Sequence, residues 1–233
     1  MPRDVGAVIV AAGEGRRIGG VPKQYRPLGG VPMVLRAVRP FLEHREVARV
    51  ALVLPPADAA SPPGFLADLA GDRLALVAGG PARRDSVAAG LAALGPDCAV
   101  VVVHDAARPF VEPAVIDAVI REARTGVGAV AAVPLTDTLK EAAPDDERRV
   151  ARTVSRDRLW RAQTPQAFPR ELLARAHAAA EAAADATDDA VLVERIGGAV
   201  RLVPDSPRNV KITTPEDLAW AELWAERAGS FPS

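Results

Sequence analysis

The sequence predicts an α/β protein: a Rossmann-like, mostly parallel β-sheet with helices on both faces and a protruding β-arm. Short apolar runs alternate with segments of helical periodicity, a glycine-rich loop follows the first run, and one polar segment interrupts the alternation. Apolar residues make up 49% of the 233 positions, enough for one sizeable core. We therefore expect a single domain over residues 1–233, with the arm at about residues 135–158.

The predicted strands are apolar runs rich in β-branched residues, which are typical of buried parallel strands. They cover residues 5–11, 49–54, 74–77, 99–103, 129–133 and 200–203. The run at 99–103 is the most hydrophobic, so we place it at the centre of the sheet. The first predicted helix begins at Pro32. The others cover about 65–69, 85–94, 114–123, 170–184, 188–196 and 215–227, and the last of them starts with Thr214-Pro215-Glu216-Asp217.

The interrupting segment is predicted to form the arm. Residues 136–141 and 148–154 resemble two polar strands around Pro144-Asp145-Asp146. The two strands together contain only three large apolar residues, Leu139, Val150 and Val154, which are too few for a separate core. An isolated hairpin is only marginally stable in water. We therefore expect the arm to pack on a second subunit, which makes the protein a homodimer.

Composition excludes several classes of partner. Lysine and arginine total 29 and aspartate and glutamate total 30, so nothing indicates binding to nucleic acid or to an anionic membrane. The one cysteine, Cys98, cannot form an internal disulfide, and no cysteine–histidine cluster predicts a metal site. The first apolar run ends at Ala12 and is too short for a signal core or a membrane span. We expect a cytoplasmic protein.

The first candidate site is the loop after the first strand, with the sequence Ala11-Ala12-Gly13-Glu14-Gly15-Arg16-Arg17 followed by Pro22-Lys23-Gln24. Glycines let backbone N–H groups approach an anion closely. The loop does not lead directly into a helix, as a dinucleotide fingerprint would, and it lacks the Gly-Lys-Ser/Thr of a Walker A motif. A glycine loop with Arg17 and Lys23 favours the triphosphate of a mononucleotide. Lys23 is one of only three lysines, with Lys140 and Lys211, and this rarity suggests that a compact charge is needed there.

The second candidate site is His104-Asp105-Ala106-Ala107-Arg108-Pro109, at the carboxyl end of the most hydrophobic strand. Ligands of open α/β sheets bind beyond this end of the strands. The Asp105 carboxylate is suited to holding Mg²⁺ against phosphate oxygens, and Arg108 to gripping a second anion. His104 is expected to be structural.

Further candidates are weaker one by one. Gly79-Gly80-Pro81-Ala82-Arg83-Arg84-Asp85-Ser86 is suited either to contacting a base or to starting a helix. The others are short segments that contain polar residues. They are Asp137-Thr138, Ser155-Arg156-Asp157, Gln163-Thr164-Pro165-Gln166, Thr187-Asp188 and Asn209-Val210-Lys211-Ile212.

In this order the motifs resemble those of the cytidylyltransferases of the non-mevalonate isoprenoid pathway, along nearly the whole chain. The shared blocks are Ala-Ala-Gly-x-Gly-Arg-Arg, Pro-Lys-Gln-Tyr, Gly-Gly-x-x-Arg-x-x-Ser, His-Asp-Ala-Ala-Arg-Pro, Asp-Thr-x-Lys, Leu-Trp-x-x-Gln-Thr-Pro-Gln, Thr-Asp-Asp-Ala and Asn-Val-Lys-Ile-Thr. The resemblance implies a GT-A-like nucleotidyltransferase fold. It also implies transfer of CMP from CTP to 2-C-methyl-D-erythritol 4-phosphate, with release of pyrophosphate and with a divalent cation such as Mg²⁺.

The resemblance also implies roles for individual residues. Arg17 and Lys23 would stabilise the transition state, while Arg156 and Lys211 would position the acceptor phosphate. The nucleotide would contact Ala11, Ala12, Gly13, Gly15, Gly80, Pro81, Ser86 and Ala106. The acceptor pocket would include Asp105, also the metal ligand, with Arg108, Thr138, Thr164 and Thr187; Thr138 and Arg156 would reach it from the partner's arm. Pro81 stands where the family often has an acidic residue, and it has no backbone N–H to donate.

Two alternatives stay open at this point. One is a nucleotidyltransferase of the same fold that acts on ribitol 5-phosphate or a sugar phosphate, because a few pocket residues set acceptor specificity. The other is a non-catalytic nucleotide-binding regulator. A glycosyltransferase is disfavoured, since no Asp-x-Asp follows a central strand.

Overall fold

The computed structural model describes residues 3–13, 22–180 and 186–228. Its strands are β1 (Val5–Val10), β2 (Pro27–Leu28), β3 (Val31–Pro32), β4 (Val47–Leu54), β5 (Leu74–Ala78), β6 (Val100–Asp105), β7 (Gly128–Pro134), β8 (Leu139–Ala143), β9 (Asp146–Val154), β10 (Trp160–Pro169) and β11 (Val200–Pro204). Its α-helices are α1 (Met33–Glu43), α2 (Pro56–Ala60), α3 (Gly64–Ala67), α4 (Arg83–Ala93), α5 (Pro113–Ala123), α6 (Arg170–Ala179), α7 (Asp189–Arg195) and α8 (Pro215–Ala228).

Seven strands form the main sheet in the order β11-β7-β10-β6-β1-β4-β5. Strand β6 is the middle strand, and all six of its residues are buried, so the prediction of a central strand is confirmed. Every pairing in this sheet is parallel except those of β10, which runs antiparallel to both β6 and β7. The prediction of a mostly parallel α/β sheet is therefore confirmed.

Alternating residues of the central strands supply two apolar cores, one on each face of the sheet. On one face, Val100 and Val102 belong to the core that includes residues of α1 and α5. On the other, Val101 and Val103 belong to the core that includes residues of α4, α6 and α7. Burial on both faces explains why β6 is apolar at successive positions rather than at every second one.

Strand β10 was not predicted from the sequence. Its sequence, Trp-Arg-Ala-Gln-Thr-Pro-Gln-Ala-Phe-Pro, mixes polar residues with two prolines, a composition that normally argues against a central strand. Its pairing with β7 is interrupted between Ala162 and Gln166, and the Thr164–Pro165 peptide bond within this gap is cis. The interruption accommodates Pro165, which has no N–H for the ladder.

Smaller differences concern the helices. The short helix α2, which begins at Pro56 in the proline-rich stretch after β4, was not predicted. The helix predicted over 170–184 ends at Ala179 in the structure, and residues 181–185 lie outside the described part. The expected acidic start of α8 is observed, since Asp217 Oδ2 accepts hydrogen bonds from the backbone N–H groups of Thr213 and Thr214 at 2.8 and 2.9 Å.

Strands β8 and β9 pair with each other as a separate two-stranded sheet, at the predicted position of the arm. Polar pairs link the two strands, such as Arg152 with Glu141 at 2.6 Å and Lys140 with Thr153 at 2.7 Å. Val150 is 55% exposed. The arm therefore has the polar, core-poor character predicted for it, whereas the extent of the single domain stays a prediction.

Candidate active site

The register of the central strands brings the first two candidate sites together. Val10, the last residue of β1, lies opposite Asp105, the last residue of β6. The Ala106 N–H donates to the Val10 carbonyl at 3.0 Å, and the Ala11 N–H donates to the Val53 carbonyl at 2.8 Å. The glycine loop after β1 and the His-Asp-Ala-Ala-Arg-Pro segment therefore leave the same edge of the sheet side by side.

These segments line a cavity of about 250 Å³, called the first cavity below. Most of the predicted nucleotide-binding and catalytic residues line it, together with Arg83 and the predicted metal ligand Asp105: Ala11, Ala12, Gly13, Lys23, Gly80, Pro81, Ser86, Ala106 and Lys211. The predicted residues Gly15 and Arg17 lie outside the described residues. Two lysines and one aspartate from distant parts of the chain thus meet at one cavity.

The Gly79–Gly80 turn is packed against the start of the glycine loop. A side chain at Gly79 would bring its Cβ within 2.5 Å of the Ala12 Cβ, closer than such atoms can approach. The Gly80 N–H donates to Ser86 Oγ at 3.2 Å, and the Ala82 N–H donates to Asp85 Oδ2 at 3.0 Å. Asp85 therefore supports the start of α4, while Ser86 holds the turn that faces the cavity.

A second cavity of about 190 Å³ is lined by most, but not all, of the residues predicted for the acceptor pocket. Arg108, Thr164 and Thr187 line it, together with polar residues of β10 and the residue that caps α7: Gln163, Gln166 and Asp188. Gln166 connects β10 with the start of α7, because its side-chain amide donates to Asp188 Oδ2 at 2.8 Å. The second cavity shares Arg83, Asp105 and Lys211 with the first, so the two cavities are neighbours.

Asp105 is the electrostatic centre of this region. Its Oδ2 lies 2.8 Å from Lys211 Nζ and its Oδ1 lies 3.3 Å from Arg83 Nε. Burial would raise the pKa of Asp105, but the charges of Arg83, Lys211 and Arg108 outweigh burial and hold the pKa well below its usual value. Asp105 is therefore a carboxylate throughout the neutral range.

Both lysines belong to one hydrogen-bonded assembly. Lys23 Nζ donates to the Ile212 carbonyl at 2.7 Å, next to Lys211. Asn209, fully buried, fixes the start of this segment, since its amide donates to the Thr164 carbonyl at 2.8 Å and to Asp205 Oδ2 at 2.6 Å. These contacts explain why a lysine so late in the chain reaches a cavity formed by the first strand.

Arg108 is held at the second cavity by a hydrogen bond from its guanidinium group to a backbone carbonyl. Its Nη1 donates to the Asn209 carbonyl at 2.7 Å, and burial lowers the pKa of the guanidinium. Its Nε atom is buried and has no hydrogen-bond partner among the described residues. A buried donor without a partner is costly, so the Arg108 guanidinium is not fully satisfied by the described residues.

His104 is structural, as expected, and it orients a predicted site residue. Its Nε2 lies 3.0 Å from the Arg108 carbonyl and its Nδ1 lies 3.0 Å from Thr164 Oγ1. Burial lowers the pKa of His104 to about 4, so the imidazole is neutral. Thr164 Oγ1 also accepts from the Asp105 N–H at 3.0 Å, so its hydroxyl is engaged within the protein.

His104 makes stability depend on pH in a defined window. Between its pKa of about 4 when folded and its ordinary value of 6.5, only the unfolded chain binds the proton. The free energy of unfolding therefore rises with pH across this window, by at most about 3 kcal/mol at about 1.36 kcal/mol per pH unit. Urea unfolding at pH 4.5, 5.5, 6.5 and 7.5 should show a smaller rise in His104→Gln, which does not titrate there. Equal slopes in the two proteins would contradict this assignment.

Thr138 and Arg156 line neither of these cavities in their own chain. Arg156 follows strand β9 within the predicted arm, where its Nη1 donates to the Thr136 carbonyl, and its side chain is exposed. Their predicted roles depend on a partner subunit and stay predictions.

Three ionisable residues that the structure connects with the site had no role predicted from the sequence. Arg83 lies in the Gly-Gly-x-x-Arg-x-x-Ser block, and it contacts Asp105 and the buried Asp189. Asp189 in turn lies 2.9 Å from His177. The block itself marked Arg83, but nothing in the sequence paired it with a carboxylate 106 positions later.

Two other kinds of feature are absent from the described ranges. No group of three or more histidine, cysteine, aspartate or glutamate side chains there could hold a metal ion. None of the helices described is long and apolar enough to cross a membrane.

Comparisons with known proteins identify the family of this chain. The family model for 2-C-methyl-D-erythritol 4-phosphate cytidylyltransferase (IspD) matches residues 5–227. The enzyme of that name from Streptomyces coelicolor is 45% identical over 230 residues, covering 95% of this chain and 84% of the relative. The one from Pelotomaculum thermopropionicum is 44% identical over 222 residues, covering 94% and 92%.

Solved structures give the same result. The crystal structure of 2-C-methyl-D-erythritol 4-phosphate cytidylyltransferase from Thermus thermophilus has a TM-score of 0.77 and 35% identity, covering 94% of this chain and 98% of that chain. The 4-diphosphocytidyl-2C-methyl-D-erythritol synthase from Anaerococcus prevotii has a TM-score of 0.82 and 28% identity, covering 96% of each chain. The chain therefore belongs to the 2-C-methyl-D-erythritol 4-phosphate cytidylyltransferase family, nucleotidyltransferases of isoprenoid biosynthesis.

Proposed function

We propose that CTP binds in the first cavity and 2-C-methyl-D-erythritol 4-phosphate in the second, and that the enzyme joins them with release of pyrophosphate. The observation that carries this proposal is the placement of Lys23, Asp105 and Lys211 at one cavity, which shares two of these residues with its neighbour. Two neighbouring cavities with cations between them are suited to two phosphorylated reactants.

The chemistry needs positioning and charge stabilisation rather than a protein nucleophile. An oxygen of the acceptor phosphate, whose second pKa is about 6, attacks the α-phosphorus of CTP. A new P–O bond forms, the bond to the β-phosphate breaks, and pyrophosphate leaves with the bonding electrons. Lys23 would stabilise negative charge on the nucleotide phosphates, while Lys211 and Arg108 would hold the acceptor phosphate in line.

We propose Asp105 as the protein ligand of Mg²⁺. Asp105 is the single acidic residue among the described residues lining the first cavity. One carboxylate fits this ion, because Mg²⁺ often binds through one or two carboxylates together with substrate phosphates and water. The bound ion would act as a Lewis acid that neutralises charge on the phosphates. Lys211, now paired with Asp105, would then be available to the acceptor.

A panel of acceptors tests the proposed substrate. With CTP and Mg²⁺, pyrophosphate release should be fastest with 2-C-methyl-D-erythritol 4-phosphate and much slower with ribitol 5-phosphate or sugar phosphates. The Thr164 hydroxyl accepts a hydrogen bond from the Asp105 N–H, and Arg108 donates one to the Asn209 carbonyl. The second cavity therefore presents these polar groups to an acceptor in fixed positions. Preference for another acceptor would overturn the substrate assignment, and CTP binding without turnover on any acceptor would favour the regulator.

We further propose a homodimer in which each arm completes the partner's site. Support comes from the exposed, polar arm and from Thr138 and Arg156, which line neither cavity of their own chain. The proposal also retains a cytoplasmic location, with no nucleic acid or membrane as partner, on the composition argument alone.

Subunit exchange tests the shared site. Mixed dimers of Lys23→Ala and Arg156→Ala carry one site with both changes and one unchanged site. After equal, random exchange, activity should return to about a quarter of the wild-type value, because half of the dimers are mixed and each has one intact site. As a control, exchange between the double variant and the wild type places one change in every mixed site, so the mixed dimers should be inactive. Proven exchange without recovery would exclude sharing.

A further inference from the structure

Three charged side chains separate the two cavities. Arg83, Asp105 and Lys211 are the charged residues that line both of them among the described residues. Asp105 and Lys211 already have proposed roles with the metal ion and the acceptor, whereas Arg83 has none. The position of Arg83 between the cavities therefore requires an explanation.

Arg83 bridges two carboxylates with different atoms of its guanidinium group. Nε lies 3.3 Å from Asp105 Oδ1, and Nη1 lies 2.7 Å from Asp189 Oδ2. The planar guanidinium can make both contacts in one fixed geometry, whereas a lysine ammonium is a single point charge. The third nitrogen, Nη2, is buried without a hydrogen-bond partner among the described residues, so the two carboxylates define the position of the group.

The Asp189 contact is an anchor rather than part of a binding surface. The Asp189 side chain is only 1% exposed and lines neither cavity. Its other oxygen, Oδ1, lies 2.9 Å from His177 Nε2 on α6, whose side chain is 9% exposed. The chain of contacts His177–Asp189–Arg83–Asp105 thus runs from the protein interior to the site and ends on the Asp105 oxygen that Lys211 does not contact.

We propose that Arg83 is a positioning residue that acts through Asp105, held in place by Asp189 and His177. This inference rests on the proposed function of the site. By binding Asp105 Oδ1 from the interior, Arg83 keeps the carboxylate oriented between the cavities. Arg83 and Lys211 together balance the negative charge of this carboxylate. Lys211, which is 43% exposed, can then leave Asp105 for an incoming phosphate without leaving the carboxylate unpaired.

Matched substitutions at neighbouring arginines test this role. Arg83→Lys keeps the charge but cannot bridge both carboxylates, and kcat should fall by roughly 10–100-fold, the usual scale for groups that orient an active-site ligand. Asp189→Asn removes the carboxylate that anchors Arg83, and its kcat should fall by the same 10–100-fold. Arg84→Lys is the control, because Arg84 contacts Asp85 at 3.4 Å and lines neither cavity, and its kcat should stay within about twofold of the wild-type value.

A double-variant cycle distinguishes positioning from direct substrate contact. If Arg83 acts through Asp105, Arg83→Lys should cause no further loss of kcat in an Asp105→Asn protein, because the group being oriented is already absent. If Arg83 touches substrate independently, the two losses should multiply. Multiplying losses, or a wild-type kcat in Arg83→Lys, would overturn the inference.

Folding must be monitored separately, because unpairing the buried Asp189 carboxylate destabilises the protein. Urea unfolding should show Arg83→Lys and Asp189→Asn folded at the assay temperature. If either one unfolds, the double variant Arg83→Gln/Asp189→Asn, which removes both buried charges, takes its place with the same expected loss. Wild-type turnover is measured in parallel. No turnover by the wild type would contradict the proposed function, whereas an active wild type with equally active variants would contradict only the role of Arg83.

Discussion

Replacing Lys23 with alanine is expected to lower kcat by roughly 10²–10³, the scale of losing one preorganised charge-stabilising donor. Lys23 lines the first cavity beside Asp105 and Lys211, so its ammonium lies where negative charge would accumulate on the nucleotide phosphates. The measurement is steady-state pyrophosphate release at saturating CTP and acceptor. Arg201→Ala is a suitable surface control, because Arg201 pairs with Glu122 on an exposed face and should leave kcat unchanged.

Lys23 also has a structural contact, which a second variant takes into account. Its Nζ donates to the Ile212 carbonyl, next to Lys211, so alanine could displace that segment. Lys23→Gln retains an N–H donor for this carbonyl but removes the charge, and its kcat should fall nearly as far as that of Lys23→Ala. A large loss in the alanine variant with normal kcat in the glutamine variant would show that Lys23 acts through the Ile212 segment instead.

Replacing Asp105 with asparagine is expected to reduce both activity and stability. The change removes the proposed Mg²⁺ ligand, and kcat/KM should fall by roughly 10² or more. It also leaves Arg83 and Lys211 without their shared partner, and breaking a buried ion pair from one side costs about 3–5 kcal/mol. We expect a loss of about 3 kcal/mol in the free energy of unfolding, because Lys211 can turn towards solvent and Arg83 keeps Asp189.

Two measurements separate these effects. Urea unfolding gives the stability loss without any ligand, and titration with Mn²⁺ in the presence of CTP, followed by electron paramagnetic resonance, gives the loss of metal binding. Undiminished metal binding in Asp105→Asn would remove Asp105 as the metal ligand. An unchanged free energy of unfolding would show that its ion pairs contribute nothing to the fold.

Local patterns predicted most of the sheet and the two main loops of the site. Strand β6 was recognisable as central because its residues are apolar at successive positions, which is needed only when both faces are buried. Asp105 was recognisable because it ends that strand, and Lys23 and Lys211 because lysine is rare in this chain. Each of these signals can be read within a few residues.

Strand β10 was missed because its stabilising contacts are not local. Its polar residues are buried, with Gln163, Thr164 and Gln166 each at most 4% exposed. Their partners, such as His104, Asn209 and Asp188, lie far away in the sequence. A strand that buries polar groups against distant partners therefore has the composition of a loop.

Arg83 shows the same limit at the level of one side chain. Arg83 and Arg84 are adjacent arginines, and although the Gly-Gly-x-x-Arg-x-x-Ser block marks Arg83, no local feature of the sequence shows which of the two contacts Asp105 and Asp189. The helix that begins at Arg83 directs its side chain towards Asp105 and Asp189, whereas Arg84 meets Asp85. Only the direction of α4 relative to β6 and α7 separates the two.

Apolar periodicity and loop composition act over short stretches, so they were enough to predict the α/β class, the central strand, the arm and the segments that carry the site. Only the folded chain shows that Lys23 and Lys211 line one cavity, that Asp105 is shared between two cavities, and that Arg83 is anchored by the buried Asp189. These are distances between groups up to about 190 positions apart, which strand order and register set and no local pattern encodes.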